Sequence, residues 1–292
     1  MEETKTYNLL IEGANDSYEV QDLTMNGTNY VSETEVDTSA WPPTFKLTAI
    51  DEDDNVTETI EHAKRDGDAY YSDYIDKGFL TEALVNYLAL VGWNPGTDRE
   101  FFTLPELVEA FDIHRINNSP GIFDVNKLEW MNSQYVAKMD PEAYLAMATP
   151  WFDKVLAGKN VDYRRLAELM QSRTDIFSRI PEKIAFLAEM PDYDPAIFFN
   201  KKQKSDESVA KEVLPLLLPV LEGISDWTEQ NIHDVVMEKI QQWERKTGSV
   251  LWPMRISISG QESTPGGAFE IAYLLGKSET LKRMQASLEK LA

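Results

Sequence analysis

The segment that decides the fold reads Leu80-Thr-Glu-Ala-Leu-Val-Asn-Tyr-Leu-Ala-Leu-Val91. Apolar side chains recur in it at spacings of three and four residues, which places them on one face of an α-helix. Gly92 ends the pattern, and Asn94-Pro-Gly96 predicts a turn. The segment therefore predicts an amphipathic helix that packs against other helices, with an apolar face formed by Leu80, Leu84, Tyr87, Leu88 and Val91.

Helix-start signals continue toward the carboxyl terminus. Thr103-Leu-Pro-Glu106 has the pattern of a capping box, in which the threonine and glutamate side chains each accept the other residue's N–H. Asp124, Asp140 and Asp162 are placed as N-caps before further helical patterns. We expect helices at 104–111, 125–132, 141–155, 163–171, 180–188, 207–222, 228–246, 268–275 and 278–291, and a short extended segment at Trp252-Pro-Met-Arg-Ile-Ser-Ile-Ser-Gly260.

The first 62 residues differ from the rest in pattern and in charge. They carry 15 Asp and Glu side chains against Lys5 and Lys46, a net charge of −13. Short runs of β-forming residues predict strands, and Asn26-Gly27 predicts a hairpin turn because both residues tolerate a positive φ. We expect a small antiparallel β module with an acidic surface, and an appendage without a binding site is its simplest interpretation.

The predicted fold class is mostly α, with two helical bundles that follow the β module. Helical patterns occupy nearly all of the chain from residue 68 onward. The polar stretch Lys201-Lys-Gln-Lys-Ser-Asp-Glu-Ser208 interrupts them and is typical of a linker. The predicted organisation is therefore a β module at 1–62, a helical domain at 63–200 and a second helical domain at 201–292.

Composition excludes several classes of protein. The chain has no cysteine, and His62, His114 and His233 lie far apart, so we expect no metal site and no cofactor. No apolar run reaches the ~18–20 residues that span a bilayer, and no signal peptide is evident, so we expect a cytoplasmic protein. A net charge of −22 opposes binding to a nucleic-acid backbone, although a local basic stripe can coexist with it.

Several stretches, in order along the chain, resemble glutamyl-tRNA synthetases of the bacterial type, a class I family. The stretch Lys64–Trp93 resembles the segment after the catalytic signature loop of that family, and 102–132 resembles its next two helices. Trp252–Gly260 and Thr264–Leu281 resemble the closing part of its anticodon-binding domain. The resemblance covers about residues 63–292 and implies a stem-contact domain and an anticodon-binding domain, with tRNA(Glu) as the partner.

The chain departs from that family at residues that carry its chemistry. The family's signature loop reads Lys-Leu-Ser-Lys-Arg, whereas Glu61-His-Ala-Lys-Arg65 retains only Lys64 and Arg65 as remnants. Residues 1–62 contain no His-x-Gly-His motif and are too short for a nucleotide-binding fold, which needs several βαβ units of ~30 residues each. We therefore expect no catalytic residues and no ligase activity from this chain alone, with Lys64 and Arg65 in a solvated linker.

The candidate binding residues lie in the carboxy-terminal part, because an anticodon loop is recognised by stacking and polar contacts to splayed bases. The resemblance places Arg173 near the anticodon, and ion pairs on a solvated helix face are the alternative for its basic neighbours. Arg255 is expected at phosphate or a base edge, unless its stem covers the core. The loop 264–267 is a phosphate seat or an ordinary helix cap, and Phe269 stacks on a base or packs in the core. The candidates are Arg164, Arg165, Arg173, Arg179, Lys183, Arg255, Thr264, Pro265, Gly266, Gly267 and Phe269.

The residues leave three hypotheses open. The leading one is a protein that binds tRNA(Glu) through the anticodon arm and has no ligase activity by itself. A second is a fused or truncated synthetase remnant without a tRNA function. A third is the tRNA-binding subunit of a split synthetase, whose partner is a separate catalytic subunit. If tRNA is bound, we expect the acidic module to project away from 163–183 and 252–269, because like charges repel.

Overall fold

The computed structural model of the protein describes residues 6–12, 17–26, 29–31, 44–51, 56–63, 71–116 and 122–291. The chain forms two compact units, Met1–Tyr74 and Ile75–Ala292. Lys64 and Arg65, the expected remnants of a signature loop, lie outside the described residues.

The amino-terminal unit contains a sheet of antiparallel strands. In the described part of this unit the strands are β1 Thr6–Glu12, β2 Ser17–Asn26, β3 Asn29–Val31, β4 Thr44–Asp51 and β5 Val56–Ala63. Their order across the sheet is β3-β2-β1-β4-β5. The β1–β2, β2–β3 and β4–β5 connections are two to four residues long, and links this short can join only antiparallel neighbours. Asn26 pairs with Asn29, on either side of the predicted hairpin turn.

Helices make up the remainder of the fold, and the prediction of a mostly helical chain is confirmed. Three short 3-10 helices, at Ile113–Arg115, Phe177–Arg179 and Pro195–Phe198, connect some of them. The α-helices in the described ranges are α1 Tyr71–Asp76, α2 Thr81–Gly92, α3 Leu104–Ala110, α4 Val125–Ala137, α5 Pro141–Leu156, α6 Tyr163–Gln171, α7 Ile180–Ala188, α8 Glu207–Glu222, α9 Glu229–Gln242, α10 Thr247–Ser259, α11 Ala268–Leu275 and α12 Lys277–Leu291.

The predicted helix starts are confirmed at the level of single hydrogen bonds. Thr103 and Glu106 form both halves of the capping box at the start of α3. The carboxylates of Asp124, Asp140 and Asp162 accept backbone N–H groups in the first turns of α4, α5 and α6. Each of these side chains satisfies donors that have no partner inside the helix, which is why the signal is readable from a few residues.

The prediction of an extended segment at 252–260 is wrong, because residues 252–259 belong to α10, which ends at Ser259 and is followed by the C-cap Gly260. Eight of the thirteen α10 residues are buried, on every side of the helix. A helix that is enclosed by its neighbours shows no polar face, so its sequence lacks the period by which helices are recognised. The alternation of Ile256 and Ile258 with serines then imitates a strand.

The second unit has one large apolar core and a smaller cluster beside it. Buried side chains of α2 and of α4 through α12 belong to the large core, including Phe152, Phe177, Leu217 and Met254. Trp93, Phe102 and, from α3, Leu107 form the smaller cluster. The large core continues on both sides of the polar stretch 201–208, while the domain boundary near residue 200 stays a prediction. No described helix has the length and apolar character required to cross a membrane.

A buried arginine of α12 joins the carboxyl ends of two other helices. Arg283 is only 3% exposed, and its Nη1 donates to the carbonyls of Phe186 at 2.6 Å and Ile258 at 3.0 Å. Its Nε donates to Glu279 Oε1 at 2.8 Å. Because the carbonyls at a helix carboxyl end lack partners within the helix, Arg283 fixes the ends of α7 and α10 against α12. The loop that follows α10 therefore leaves from a rigid position.

Candidate nucleic-acid interface

Two of the predicted basic residues form ion pairs between helices. Arg165, in the first turn of α6, donates from Nε and Nη2 to the two carboxylate oxygens of Glu229 on α9, at 2.7 and 2.8 Å. Arg164 makes a two-point ion pair with Glu142 of α5. The hydrogen bonds to Glu142 and Glu229 raise the pKa values of Arg164 and Arg165, respectively. Both charges are thus satisfied within the protein.

The other basic residues of the group line a cleft between two distant parts of the chain. The cleft has a volume of about 640 Å³. One wall comes from the end of α6 through α7, and the other from the loop after α10. The lining residues are Met170, Arg173, Arg179, Glu182, Lys183, Gln261, Ser263, Thr264 and Pro265. The structure therefore brings Arg173, Arg179, Lys183, Thr264 and Pro265 together, as candidates for one site.

Most of the positive charge in the cleft is balanced by carboxylates. Arg179 donates to both oxygens of Glu129 at 2.8 and 2.7 Å and to Asp175 Oδ2 at 2.8 Å. Lys183 donates to Asp175 Oδ1 at 2.9 Å and to the carbonyl of Arg173 at 2.7 Å. The hydrogen bonds to Glu129 and Asp175 raise the pKa of Arg179. Burial raises the pKa of Asp175, but the hydrogen bonds from Lys183 and Arg179 outweigh it and bring that pKa to about 2.

Arg173 differs from its neighbours because its charge is not balanced. Its Nη1 donates to the carbonyl of Leu169 at 2.9 Å, and its side chain is exposed. Among the described residues no carboxylate forms an ion pair with it. A guanidinium has five N–H donors in a planar fork, so Arg173 retains donors that face solvent at the cleft. This is the arrangement that contact with a phosphate or a base edge requires.

The opposite wall is set by a glycine at the end of α10. Gly260 has φ +64°, and a Cβ on it would lie 2.9 Å from Pro191 Cγ. The left-handed turn directs Gln261 and Thr264 toward the cleft. The Thr264 hydroxyl donates to the carbonyl of Gly266 at 2.6 Å, which closes the loop.

The loop 264–267, which the sequence predicts as a phosphate-binding site, lies beside the carboxylate of Glu270. Gly267 precedes α11 and provides no side-chain cap. A Cβ on Gly267 would lie 3.0 Å from Glu270 Oε2, and a Cβ on Gly266 would lie 2.7 Å from Glu270 Cβ. The Glu270 carboxylate therefore lies near the positive end of α11, where an anion would otherwise be favoured. Gly266 and Gly267 do not line the cleft, and their role stays a prediction.

Arg255 and Phe269, next to the loop 261–267, contact other side chains and carbonyls of the protein. The Arg255 guanidinium lies 4.7 Å from the centre of the Trp252 ring and its Nη2 donates to the carbonyl of Glu262 at 2.7 Å. Burial lowers the pKa of Arg255. Phe269 is half-buried and meets His233 edge to face, with 5.0 Å between ring centres. These contacts make Arg255 a support for the loop 261–264, while direct contact with RNA stays a prediction for both residues.

Residue patterns missed four members of the cleft, namely Met170, Glu182, Gln261 and Ser263. A signal existed only for Gln261 and Ser263, which are polar residues between a helix-ending glycine and the next helix start. Within the described ranges, no group of three or more His, Asp or Glu side chains is arranged to hold a metal ion.

Two family models match the chain. The model described as an anticodon binding domain matches residues 143–288, half of the chain, and includes both walls of the cleft. The model described as the catalytic domain of class I tRNA synthetases (E and Q) matches residues 45–130. This match begins upstream of residue 63, where the resemblance was expected to begin.

Individual relatives agree with the family models. The glutamate–tRNA ligases of Clostridium tetani and Clostridium kluyveri are 45% and 46% identical to this chain over 229 residues. The matched residues are 78% of this chain and 47% of each relative. The chain therefore spans about half the length of the curated relatives that it matches.

Solved structures show the same fold. A glutamate tRNA ligase from Elizabethkingia meningosepticum matches 75% of this chain and 43% of its own, with a TM-score of 0.62 and 22% identity. A glutamate–tRNA synthetase from Elizabethkingia anophelis matches 74% of this chain and 42% of its own, with a TM-score of 0.62 and 23% identity.

Proposed function

We propose, since the chain belongs to the anticodon-binding domain family and is a relative of the glutamate–tRNA ligases, that it binds tRNA(Glu) through the anticodon arm. The observation that carries the proposal is the cleft, where Arg173 lies opposite Gln261 and Thr264. Single-stranded RNA is recognised by groups that hydrogen-bond to exposed base edges and by planar groups that stack on them. Arg173 offers both kinds of contact, and Gln261 adds an amide that can donate and accept.

The charge balance supports contact with a few nucleotides rather than with a long backbone. Arg179 and Lys183 are paired with Asp175 and Glu129, so they contribute little net positive potential. A protein of net charge −22 also repels the RNA at a distance, an effect that salt weakens. In this proposal, the affinity at the cleft therefore comes from local contacts with bases. The difference in affinity between tRNA(Glu) and a tRNA with another anticodon is then large, although the total affinity is modest.

The test compares Arg173→Ala with Arg164→Ala in the full chain. Both changes remove one arginine from α6 or its end, but Arg164 lies outside the cleft and is paired with Glu142. We expect Arg173→Ala to weaken binding to tRNA(Glu) by about 5- to 100-fold, the range for loss of a good base contact. We expect Arg164→Ala to stay within about twofold.

The same measurement on a tRNA with an exchanged anticodon separates base recognition from general attraction. Wild-type protein is expected to prefer tRNA(Glu), and Arg173→Ala to lose most of that preference. Equal affinity of the wild-type protein for both tRNAs would contradict the proposal. Gel-shift or fluorescence-anisotropy titration at moderate salt measures both quantities.

Absence of ligase activity in this chain is part of the proposal, as is a cytoplasmic location, where tRNA is its ligand. Support comes from the departures at Glu61-His-Ala and from the catalytic-domain model, which matches only residues 45–130. A second candidate is the tRNA-binding subunit of a split synthetase. It is favoured by exposed apolar side chains in that matched segment, at Val108, Ile113 and Ile122, because exposed apolar groups mark surfaces that bind partners.

A further inference from the structure

A turn with unusual charge lies between the last 3-10 helix and α8. Residues Phe199-Asn-Lys-Lys-Gln-Lys-Ser205 carry three lysines and no acidic side chain, in a chain with 50 acidic and 28 basic residues. We call this segment, together with Lys246, the basic turn. It overlaps the first five residues of the polar stretch 201–208 that the sequence predicts to be a linker.

The basic turn is held in one conformation by its own backbone. Asn200 N–H donates to the Ser205 carbonyl at 2.8 Å, and Ser205 N–H donates to the Asn200 carbonyl at 3.2 Å. Asn200 Oδ1 accepts the N–H groups of Lys202 at 3.0 Å and Gln203 at 3.1 Å. The lysines are therefore displayed by an ordered turn, which reduces the entropy that a ligand would have to remove.

The residue before α10 adds a fourth lysine. Gln203 packs on Gly248, since a Cβ on that glycine would lie 3.3 Å from Gln203 Cα. A hydrogen bond between Lys204 and Lys246, the residue before α10, and the like charge of Lys204 lower the pKa of Lys246. None of the four lysines forms an ion pair with a carboxylate in the described part of the chain. Four exposed and unbalanced cations in an acidic protein form a local site for an anion.

An exposed aromatic residue begins the basic turn. Phe199 is 67% exposed, whereas Phe198 beside it is fully buried and anchors the segment. Phe199 N–H donates to the Ala196 carbonyl at 3.0 Å, which fixes the start of the turn. Lysines that contact phosphates, next to an aromatic ring on which a base stacks, are the combination by which proteins bind single-stranded nucleic acid. A purely ionic partner would leave the ring without a role.

We propose that the basic turn is a second RNA-binding surface, at which Lys201, Lys202, Lys204 and Lys246 contact phosphates and Phe199 stacks on an unpaired base. The inference rests on the proposed function, since it takes tRNA as the RNA. The basic turn lies at the start of α10 and the cleft lies at its end, so about 20 Å of helix separates them. The two surfaces therefore contact different nucleotides, and the basic turn contributes affinity that does not depend on the anticodon.

The lysine test uses the double variant Lys204→Ala/Lys246→Ala in the full chain. We expect it to weaken binding to tRNA(Glu) and to the anticodon-exchanged tRNA by the same factor, about tenfold at low salt. The slope of log affinity against log salt should fall by about 2, one for each lost phosphate contact. The control is Lys211→Ala/Lys282→Ala, which removes two exposed lysines elsewhere on the same unit and should change neither quantity.

The aromatic test uses Phe199→Leu and Phe199→Tyr. Loss of stacking in Phe199→Leu should weaken binding about fivefold or more and leave the salt slope unchanged. Phe199→Tyr keeps an aromatic ring and should retain affinity, which a merely structural role of the apolar side chain would not predict. Thermal unfolding of each variant establishes that all of them are folded.

The outcomes separate this inference from the proposed function. If the lysine variant and Phe199→Leu bind tRNA(Glu) like the wild type while Arg173→Ala binds weakly, the second surface is overturned and the anticodon proposal stands. If no anticodon preference exists but the basic-turn variants weaken binding, the anticodon proposal fails alone. The second surface is also overturned if Lys211→Ala/Lys282→Ala loses as much affinity for tRNA as the basic-turn variant does. It is overturned as well if the four lysines bind poly-glutamate more tightly than tRNA.

Discussion

At the scale of single residues, the number of basic side chains in a segment is a poor guide to its available charge. The segment 163–183 contains five of them, and four are engaged by carboxylates from α4, α5, α6, α9 or the loop after α6. Asp175 has a central part in this, since it accepts hydrogen bonds from Arg179 and Lys183 at once. Of these five, Arg173 is the one that forms no ion pair with a carboxylate of the described residues.

The pH dependence of stability should report on Asp175. Its folded pKa of about 2 lies below its ordinary value of 3.8, so its stabilisation is present above pH 4 and is lost as the pH falls toward 2. We expect Asp175→Asn to lower the free energy of unfolding at pH 7 by about 1 kcal/mol, because solvent screens a carboxylate that is about one-third exposed. Urea unfolding at several pH values measures this.

The difference between wild type and Asp175→Asn should vanish near pH 2. Asp153→Asn is the control, because this carboxylate accepts one hydrogen bond from the neutral Tyr163 hydroxyl at 2.9 Å. A constant difference between the Asp175 variant and wild type from pH 7 to pH 2 would contradict the assignment of the ion-pair network.

At the scale of elements, α10 shows where local patterns mislead. The segment Trp252–Ser259 contains a proline and alternating isoleucines, both of which argue against a helix in isolation. Burial on every side overrides these preferences. The helices α3 to α6 behave in the opposite way, since their caps lie within a few residues of the helices they start and depend on no distant partner.

A substitution at Gly260, which follows the last residue of α10, should lower both the stability of the protein and its affinity for tRNA(Glu). Gly260→Ala places a Cβ at φ +64° and against Pro191 and Tyr193, so we expect a loss of about 1–3 kcal/mol in the free energy of unfolding. Because the strain moves the loop 261–265, affinity for tRNA(Glu) should also fall. Gly158→Ala is the matched control, with φ +78° and no atom within 4 Å of its Cβ. It should lose stability and keep its affinity, as shown by denaturation and tRNA titration of the folded variants.

At the scale of the whole molecule, the anticodon-binding-domain model matches residues 143–288, and the catalytic-domain model matches residues 45–130. The two matches do not overlap, and the second includes strands β4 and β5 of the amino-terminal unit. The proposed function assigns tRNA binding to the residues that the anticodon-binding-domain model matches.

An aminoacylation assay tests whether this chain has ligase activity. We expect the chain alone to attach no glutamate to tRNA(Glu) in the presence of ATP, because the signature loop retains only Lys64 and Arg65. A full-length glutamate–tRNA ligase should charge the same tRNA, and excess chain should slow it by competing for tRNA. Charging by the chain alone would refute the proposal. Charging that appears only when a separately encoded catalytic chain is added would instead favour the split synthetase.

The sequence alone determined the features that short stretches encode. It predicted the helix starts at Thr103, Asp124, Asp140 and Asp162 and the mostly helical fold, because caps and apolar periods act over one or two helical turns. The family relationship came from the resemblance of several stretches within residues 63–292 to a known family. The sequence wrongly predicted an extended segment within α10, because a short stretch of sequence does not show that a helix is buried on all sides.

Only the tertiary structure decided which charges remain available and which segments meet. Arg165 is paired with Glu229, 64 residues away, and Arg179 with Glu129, 50 residues away, so their neutralisation cannot be read from neighbours in sequence. The cleft unites 170–183 with 261–265. Residues 201–205, the first part of the expected linker at 201–208, form an ordered turn packed on α10. The physical reason is that ion pairing and burial depend on distance in space, whereas caps and periodicity depend on distance along the chain.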